Sequence, residues 1–337
     1  MLMRSKERRA PTPIGFGAVW LRLLSIAFLP PPESGVLDGY GGPQAFADRL
    51  IRELPGLSSD ARVMASLRNQ LPLLAEAAPI PFVDALEALL QGGSNIEQIF
   101  LDRGLFSSPF HIGLLWAVEV LAWSPEYLPR VVAATVQMHE RFGGLMNGNS
   151  ALTTLREIFL AWSPGTSASI GERLNVLRNV AQKHPRGTWE LLLKLMPRPA
   201  GDSASPTQEP SWRDFGRSDR PLLTRAEVAK TYRAYAEFSL EQAESNLPRL
   251  LDLLPFFSEF PPEYRERLLR LIGSCESHDS ADRLRAWNQI RDFVAKHRSF
   301  SDAFWALPEA DLQDLEHLGR KFAPEVARIR MKWLFDD

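Results

Sequence analysis

Leu121-Ala122-Trp123-Ser124-Pro125 and Leu160-Ala161-Trp162-Ser163-Pro164 carry the same Ala-Trp-Ser-Pro, 39 residues apart. That interval is the length of one helical hairpin repeat. In each copy an apolar run ends on a Trp that closes the face of a helix. The Ser and Pro that follow stop that helix and start the next, because proline is tolerated in a first turn, where its missing N–H is not needed. Weaker echoes are Leu195-Met196-Pro197, 33 residues further on, and Leu253-Leu254-Pro255. A hairpin of this kind cannot bury its apolar face alone, so neighbours must stack. The expected fold is all-α, an irregular α-solenoid of stacked helical hairpins of the HEAT or TPR kind, with a closed bundle as the alternative.

Away from these two copies, apolar residues recur at steps of three and four from Ala45 onward, and β-branched runs are few, so strands are not expected. The periodicity predicts helices over about 44–54, 59–77, 81–91, 109–122, 126–142, 150–161, 168–183 and 187–196. A second set covers about 224–245, 247–258, 261–274, 279–297, 308–320 and 323–334. The clearest break runs from Pro197 to Pro221 and is rich in Pro, Ser and Gly, the composition of a loop. Trp212 and Phe215 within it argue against a free tether, which has no use for large aromatics, and predict a loop pinned against the helices. The organisation expected is a basic tail and apolar helix over 1–43, one helical unit over 44–198, the loop over 199–221 and a second helical unit over 222–337.

At 337 residues, with 45% hydrophobic and 24% charged residues, the chain has the composition of a globular protein that buries ample apolar surface. Its 26 prolines must then sit between helices. A net charge of -2 gives no electrostatic reason to expect a nucleic-acid partner. The single Cys275 excludes an internal disulfide and fits a reducing cytoplasm. The basic residues Arg4, Lys6, Arg8 and Arg9 precede an apolar run over 19–29, an order that imitates an anchor. Arg22 interrupts the run, and it is shorter than the roughly 20 residues a membrane span needs, so a buried helix is expected and a membrane partner is not.

The chain holds no phosphate-binding G-x-x-x-x-G-K-[ST] loop, and Gly15-Phe16-Gly17 and Gly39-Tyr40-Gly41-Gly42 do not extend into a dinucleotide fingerprint. None of the six histidines shows metal-ligand spacing. Cys275-Glu276-Ser277-His278 comes nearest and lacks the further ligands of a tetrahedral zinc site, so no metal and no cofactor are expected. Gly148-Asn149-Ser150-Ala151-Leu152 is not a nucleophile elbow, and Ser150 reads as a helix N-cap. Of the many helical carboxylates, Glu119 and Glu157 among them, most are expected to be solvated. Arg156-Glu157 is either a surface ridge beside the core or a partly buried pair. The tryptophans fit core packing first. Those left exposed become candidate contacts for a protein partner, and the set chosen is Trp116, Trp123, Arg156, Trp162, Trp212 and Arg213. An enzyme would instead require a pocket where His111, Glu119 or Arg156 converge.

Leu71-Pro72-Leu73-Leu74-Ala75-Glu76-Ala77-Ala78-Pro79, Gly113-Leu114-Leu115-Trp116-Ala117, both Ala-Trp-Ser-Pro segments, Trp189-Glu190-Leu191-Leu192-Leu193 and Trp212-Arg213-Asp214 together resemble a region of very large bacterial STAND-type NTPases implicated in anti-phage defence. The resemblance covers about residues 60–337. It implies a helical C-terminal array acting as the sensor, with nucleotide hydrolysis and the effector on other domains. This chain has neither a P-loop nor an effector domain, so it looks like a detached piece, and no catalytic residue carries over. The function expected is therefore a non-catalytic, helical-repeat protein-binding module, with a free-standing scaffold as the alternative.

Overall fold

The computed structural model describes residue 39 and residues 41–101, 109–146, 149–198, 202–218, 223–276 and 279–326. The protein is all-α: helices carry the chain, and among the described residues the only β-type pairing is an isolated bridge between Asp60 and Ser94. None of the described helices is long and apolar enough to cross a membrane. The apolar run 19–29 and most of the helix expected over 323–334 lie outside the described residues.

The chain forms two compact units that are interleaved in sequence, where contiguous segments were expected. One gathers the chain up to Ile158, then Pro164–His184 and Pro206–Pro221. The other gathers the described residues of Phe159–Ser163, of Pro185–Ser205 and from 223 onward. The loop end at 206–221 thus belongs to the first unit, and the helix after His184 belongs to the second.

In the first unit α1 (Pro43–Arg52), α2 (Ala61–Ser66), α3 (Leu71–Ala77), α4 (Pro79–Gly92) and α5 (Glu97–Phe100) precede α6 (His111–Ala122). After it come α7 (Leu128–Phe142), α8 (Ala151–Phe159, whose last residue groups with the second unit) and α9 (Ile170–Lys183). The helix expected over 59–77 is broken in two at 67–70. Pro72 explains the break: its ring collides with the carbonyl four residues back, and it restricts the residue before it, so a helix can begin there but not run through. Ser150 does cap α8, its Oγ accepting the Thr153 N–H at 3.2 Å. A full capping box opens α9, with Ser169 and Glu172 each bonding the other's backbone N–H.

The centre of this unit is α6, packed closely on α3. A helix apolar on all sides has to be buried, and in α6 only Ile112 and Trp116 escape full burial. Gly113 is what lets the two approach: a Cβ there would lie 1.9 Å from the Arg68 carbonyl oxygen, closer than any side chain can sit. Around this pair α4 also packs on α7, with Arg130 of α7 gripping Glu87 and Asp84 of α4 at 2.6 and 2.7 Å. Phe100 and Phe142 stack at 4.6 Å between ring centroids.

The second unit is built from α10 (Pro185–Leu195), α11 (Arg225–Ala243), α12 (Leu247–Asp252), α13 (Pro262–Ser274), α14 (Ser280–Ser299) and α15 (Glu309–Arg320). The helix expected over 247–258 is α12 followed by a 3-10 turn, Leu254–Glu259, because Pro255 cannot continue an α-helix. Tyr235 of α11 is wholly buried and donates its hydroxyl to the Phe159 carbonyl at 2.7 Å. Trp189 of α10 donates its indole N–H to Asp252 at 3.1 Å, and Arg285 of α14 reaches the other oxygen of that carboxylate at 2.7 Å.

Candidate functional site

The loop segment 206–218 is pinned to the first unit by two carboxylates that approach it from below. Glu76 is the one charge in α3, and it is 1% exposed. Its Oε2 accepts the Ser211 N–H at 2.8 Å, and its Oε1 accepts the N–H groups of Trp212 and Arg213 at 2.6 Å each. Three consecutive amides therefore converge on one buried anion, and bonds to a charged acceptor are the strong class, about 1.5–3 kcal/mol each. Arg213 then closes the clamp, donating to the Ala77 carbonyl at 3.0 Å and to Gln44.

Glu119, on the apolar α6, is the second anchor. Its Oε2 accepts the Gln208 N–H at 2.8 Å and its Oε1 accepts the Thr154 hydroxyl at 3.1 Å. Burial pushes its pKa above the usual carboxylate range, and these two hydrogen bonds oppose that shift without cancelling it. Trp123 answers from the same helix end, donating its indole N–H to the Gln208 carbonyl at 3.0 Å. The Arg217 guanidinium lies 5.6 Å over the Trp123 ring and bonds the Pro210 carbonyl at 2.9 Å. At the tip, Phe215 takes a left-handed backbone (φ 50), held by an edge contact with Tyr127 at 5.8 Å and by the Arg213 guanidinium at 5.9 Å.

Of the six residues singled out from sequence, Trp123, Trp212 and Arg213 therefore meet around this loop. Their work is internal, with Trp123 only 5% exposed. Arg156 is buried too and bonds Glu157 at 2.6 Å, so Arg156-Glu157 is a buried pair and no surface ridge. Trp123 and Arg156 thereby leave the solvent-facing set, since a partner cannot reach a side chain the fold has covered. Trp116 and Trp162 stay at the surface, 40% and 38% exposed. The groups an enzyme would have to gather are occupied: His111 Nε2 bonds the Asn149 carbonyl at 3.0 Å, and Glu119 holds the loop. Glu119 also departs from the expectation of solvated carboxylates, as does Glu157. Both sit in mainly apolar helices, and a lone carboxylate in such a helix was the available signal for Glu119 and for Glu76.

The second unit holds an open cleft of about 530 Å³. One wall is Leu251, Leu254, Pro255 and Ser258; the other is Gln289, Asp292, Phe293, Lys296 and His297 of α14, with Trp305 also lining it. His297 is 4% exposed, its ring 4.3 Å from that of Phe293 and tilted by 46° to it. Burial, and then the neighbouring Lys296 charge, lower its pKa, so the ring is neutral near pH 7. Phe300 and Phe304, which follow α14, are 58% and 85% exposed. Nothing in the sequence reading pointed to this cleft.

Cys275 lies past the end of α13, and burial pushes its thiol pKa up, opposed by Lys321; His278 lies outside the described residues. Among the described residues no group of three His, Cys, Asp or Glu side chains is placed to hold a metal ion. Comparison with protein-family models, curated proteins and solved structures gives no match.

Proposed function

We propose that this chain is a non-catalytic helical module that binds a protein partner, and that it is the sensor-like region of a STAND-type NTPase, arranged as stacked helical hairpins. The observation that carries the binding reading is Trp116. It stands 40% exposed on α6, a helix otherwise almost wholly buried. A large ring held at the surface by a rigid, buried helix has lost little freedom to lose again on binding, which is what makes tryptophan a frequent anchor in interfaces. The internal polar groups support the same reading, because Glu76, Glu119 and Arg156 are engaged in holding the fold. The sensor assignment rests on the sequence resemblance alone.

The test places a photocrosslinking amino acid at position 116 of the full chain, with exposed Glu126 as the control position. The expected outcome is one defined polypeptide adduct at 116 that purified partner reproduces. Adducts no stronger at 116 than at 126 would sink the reading. For the sensor assignment, the whole parent protein should lose its response when the segment matching this chain is deleted.

A further inference from the structure

Along α14, Gln289, Asp292, Phe293, Lys296 and His297 recur at steps of three and four, so they form one stripe of the helix. The facing wall, from Leu251 to Ser258, is a stripe of α12 and its 3-10 continuation. A channel walled by two helical ridges is the shape that a third helix fills. From Gln289 to Lys296 the rise is about 10.5 Å, two turns at 1.5 Å per residue.

The α14 wall is also polarised along that length. At its N-terminal end Gln289 Oε1 is buried without a hydrogen-bond partner, and the Asp292 carboxylate, bonded at 2.7 Å to Arg291, remains 66% exposed. Both are acceptors. Two turns on, the Lys296 ammonium lies 5.3 Å over the Trp305 ring. His297 Nδ1 accepts the Leu307 N–H at 3.1 Å, which leaves the ring proton on Nε2. That end therefore offers donors. Between them the lining is mainly apolar, and the exposed Phe300 ring lies 6.0 Å from that of Trp305.

We propose that this cleft docks an amphipathic helix of a protein partner. Two turns of its apolar side chains seat on the half-buried Phe293 and Trp305. A basic residue lies at the exposed Asp292 and an acidic residue at the exposed Lys296. The inference takes the class of molecule from the partner-binding reading. Its test addresses the cleft alone, whereas crosslinking from position 116 addresses the first unit, so the two fail separately.

The probes are three synthetic, end-capped helical peptides with the same apolar stripe, carrying Lys and Glu, Lys and Lys, or Glu and Glu at its two ends. Each is titrated against the full chain by fluorescence polarisation. The Lys/Glu peptide should bind saturably, and each mismatched end should weaken binding roughly twofold to fivefold, the range for a solvent-exposed ion pair. D292K, at an exposed side chain that can change without unfolding the protein, should make the Glu/Glu peptide the preferred one. F293A should abolish binding of all three. No saturable binding, equal affinity for the three peptides, or a preference that D292K leaves unchanged overturns the proposal.

Discussion

The two Ala-Trp-Ser-Pro copies, identical as strings, end in opposite surroundings. Trp123 is 5% exposed, with its N–H on the Gln208 carbonyl and Arg217 across its face, and Ser124 beside it is buried. Trp162 is 38% exposed and Ser163 is exposed as well. A helix stops at or before each copy, α6 at Ala122 inside the first and α8 at Phe159, two residues ahead of the second. The difference comes from a segment more than 80 residues downstream of the first copy: loop 206–218 lies over Trp123. The environment of each Trp is thus set by what the rest of the chain lays on top and not by the tetrapeptide.

The largest effect should come from Trp123→Ala set against Trp162→Ala. Removing a buried Trp costs about 3–5 kcal/mol, whereas Trp162, 38% exposed, has less buried area to lose and should cost less. Urea unfolding of the two variants measures the gap, and equal losses would break the comparison. Next, Glu76→Ala leaves the Ser211, Trp212 and Arg213 amides without their acceptor. An expected loss of about 3 kcal/mol, in line with leaving buried donors unsatisfied, should appear with faster amide exchange in 206–218 and tryptic cutting at Arg213 and Arg217. Glu76→Gln should fall between, since it keeps one acceptor oxygen but turns an N–H toward a donor.

Glu119→Gln sharpens the contrast between the two anchors, because Glu119 is held at a cost. Its folded pKa is raised by burial, so the native state binds the proton more tightly than the unfolded chain. Its ionised form therefore destabilises the fold at neutral pH, and that penalty is relieved as pH falls through the raised pKa toward the ordinary 4.5. Wild type should gain on Glu119→Gln as pH is lowered through that window, while at pH 7 the variant is neutral to slightly stabilised. Chemical unfolding across pH measures this, and a flat difference would mean Glu119 is better solvated than its 8% exposure indicates. Trp116→Ala should cost less stability than Trp123→Ala, because 40% of Trp116 is exposed against 5% of Trp123, and partner binding is read on the variant once circular dichroism shows it folded.

Much of the secondary structure was legible in the chain. The threefold and fourfold apolar recurrence gives helices, and Pro72, Pro129 and Pro248 mark where α3, α7 and α12 begin. Even the pinning of the loop was visible, since Trp212 and Phe215 have no place in a solvated tether. Pro72 itself is a legible break in the apolar periodicity over 59–77, and the chain does break there. The anchors were less visible. Glu76 and Glu119 are single carboxylates in apolar helices, and spacing does not say whether such a group points to water or to the amides of a distant loop.

Sequence alone determined that this protein is helical and where many of its helices start and stop, because capping, proline geometry and apolar periodicity act over a few residues. Only the tertiary structure decided which Trp is core and which is surface, that Arg156 and Glu157 are buried together, and that Gln289, Asp292, Lys296 and His297 face Leu254 across one cleft. Burial and hydrogen-bond partnership depend on segments far apart in the chain, and a string of residues carries no measure of that distance.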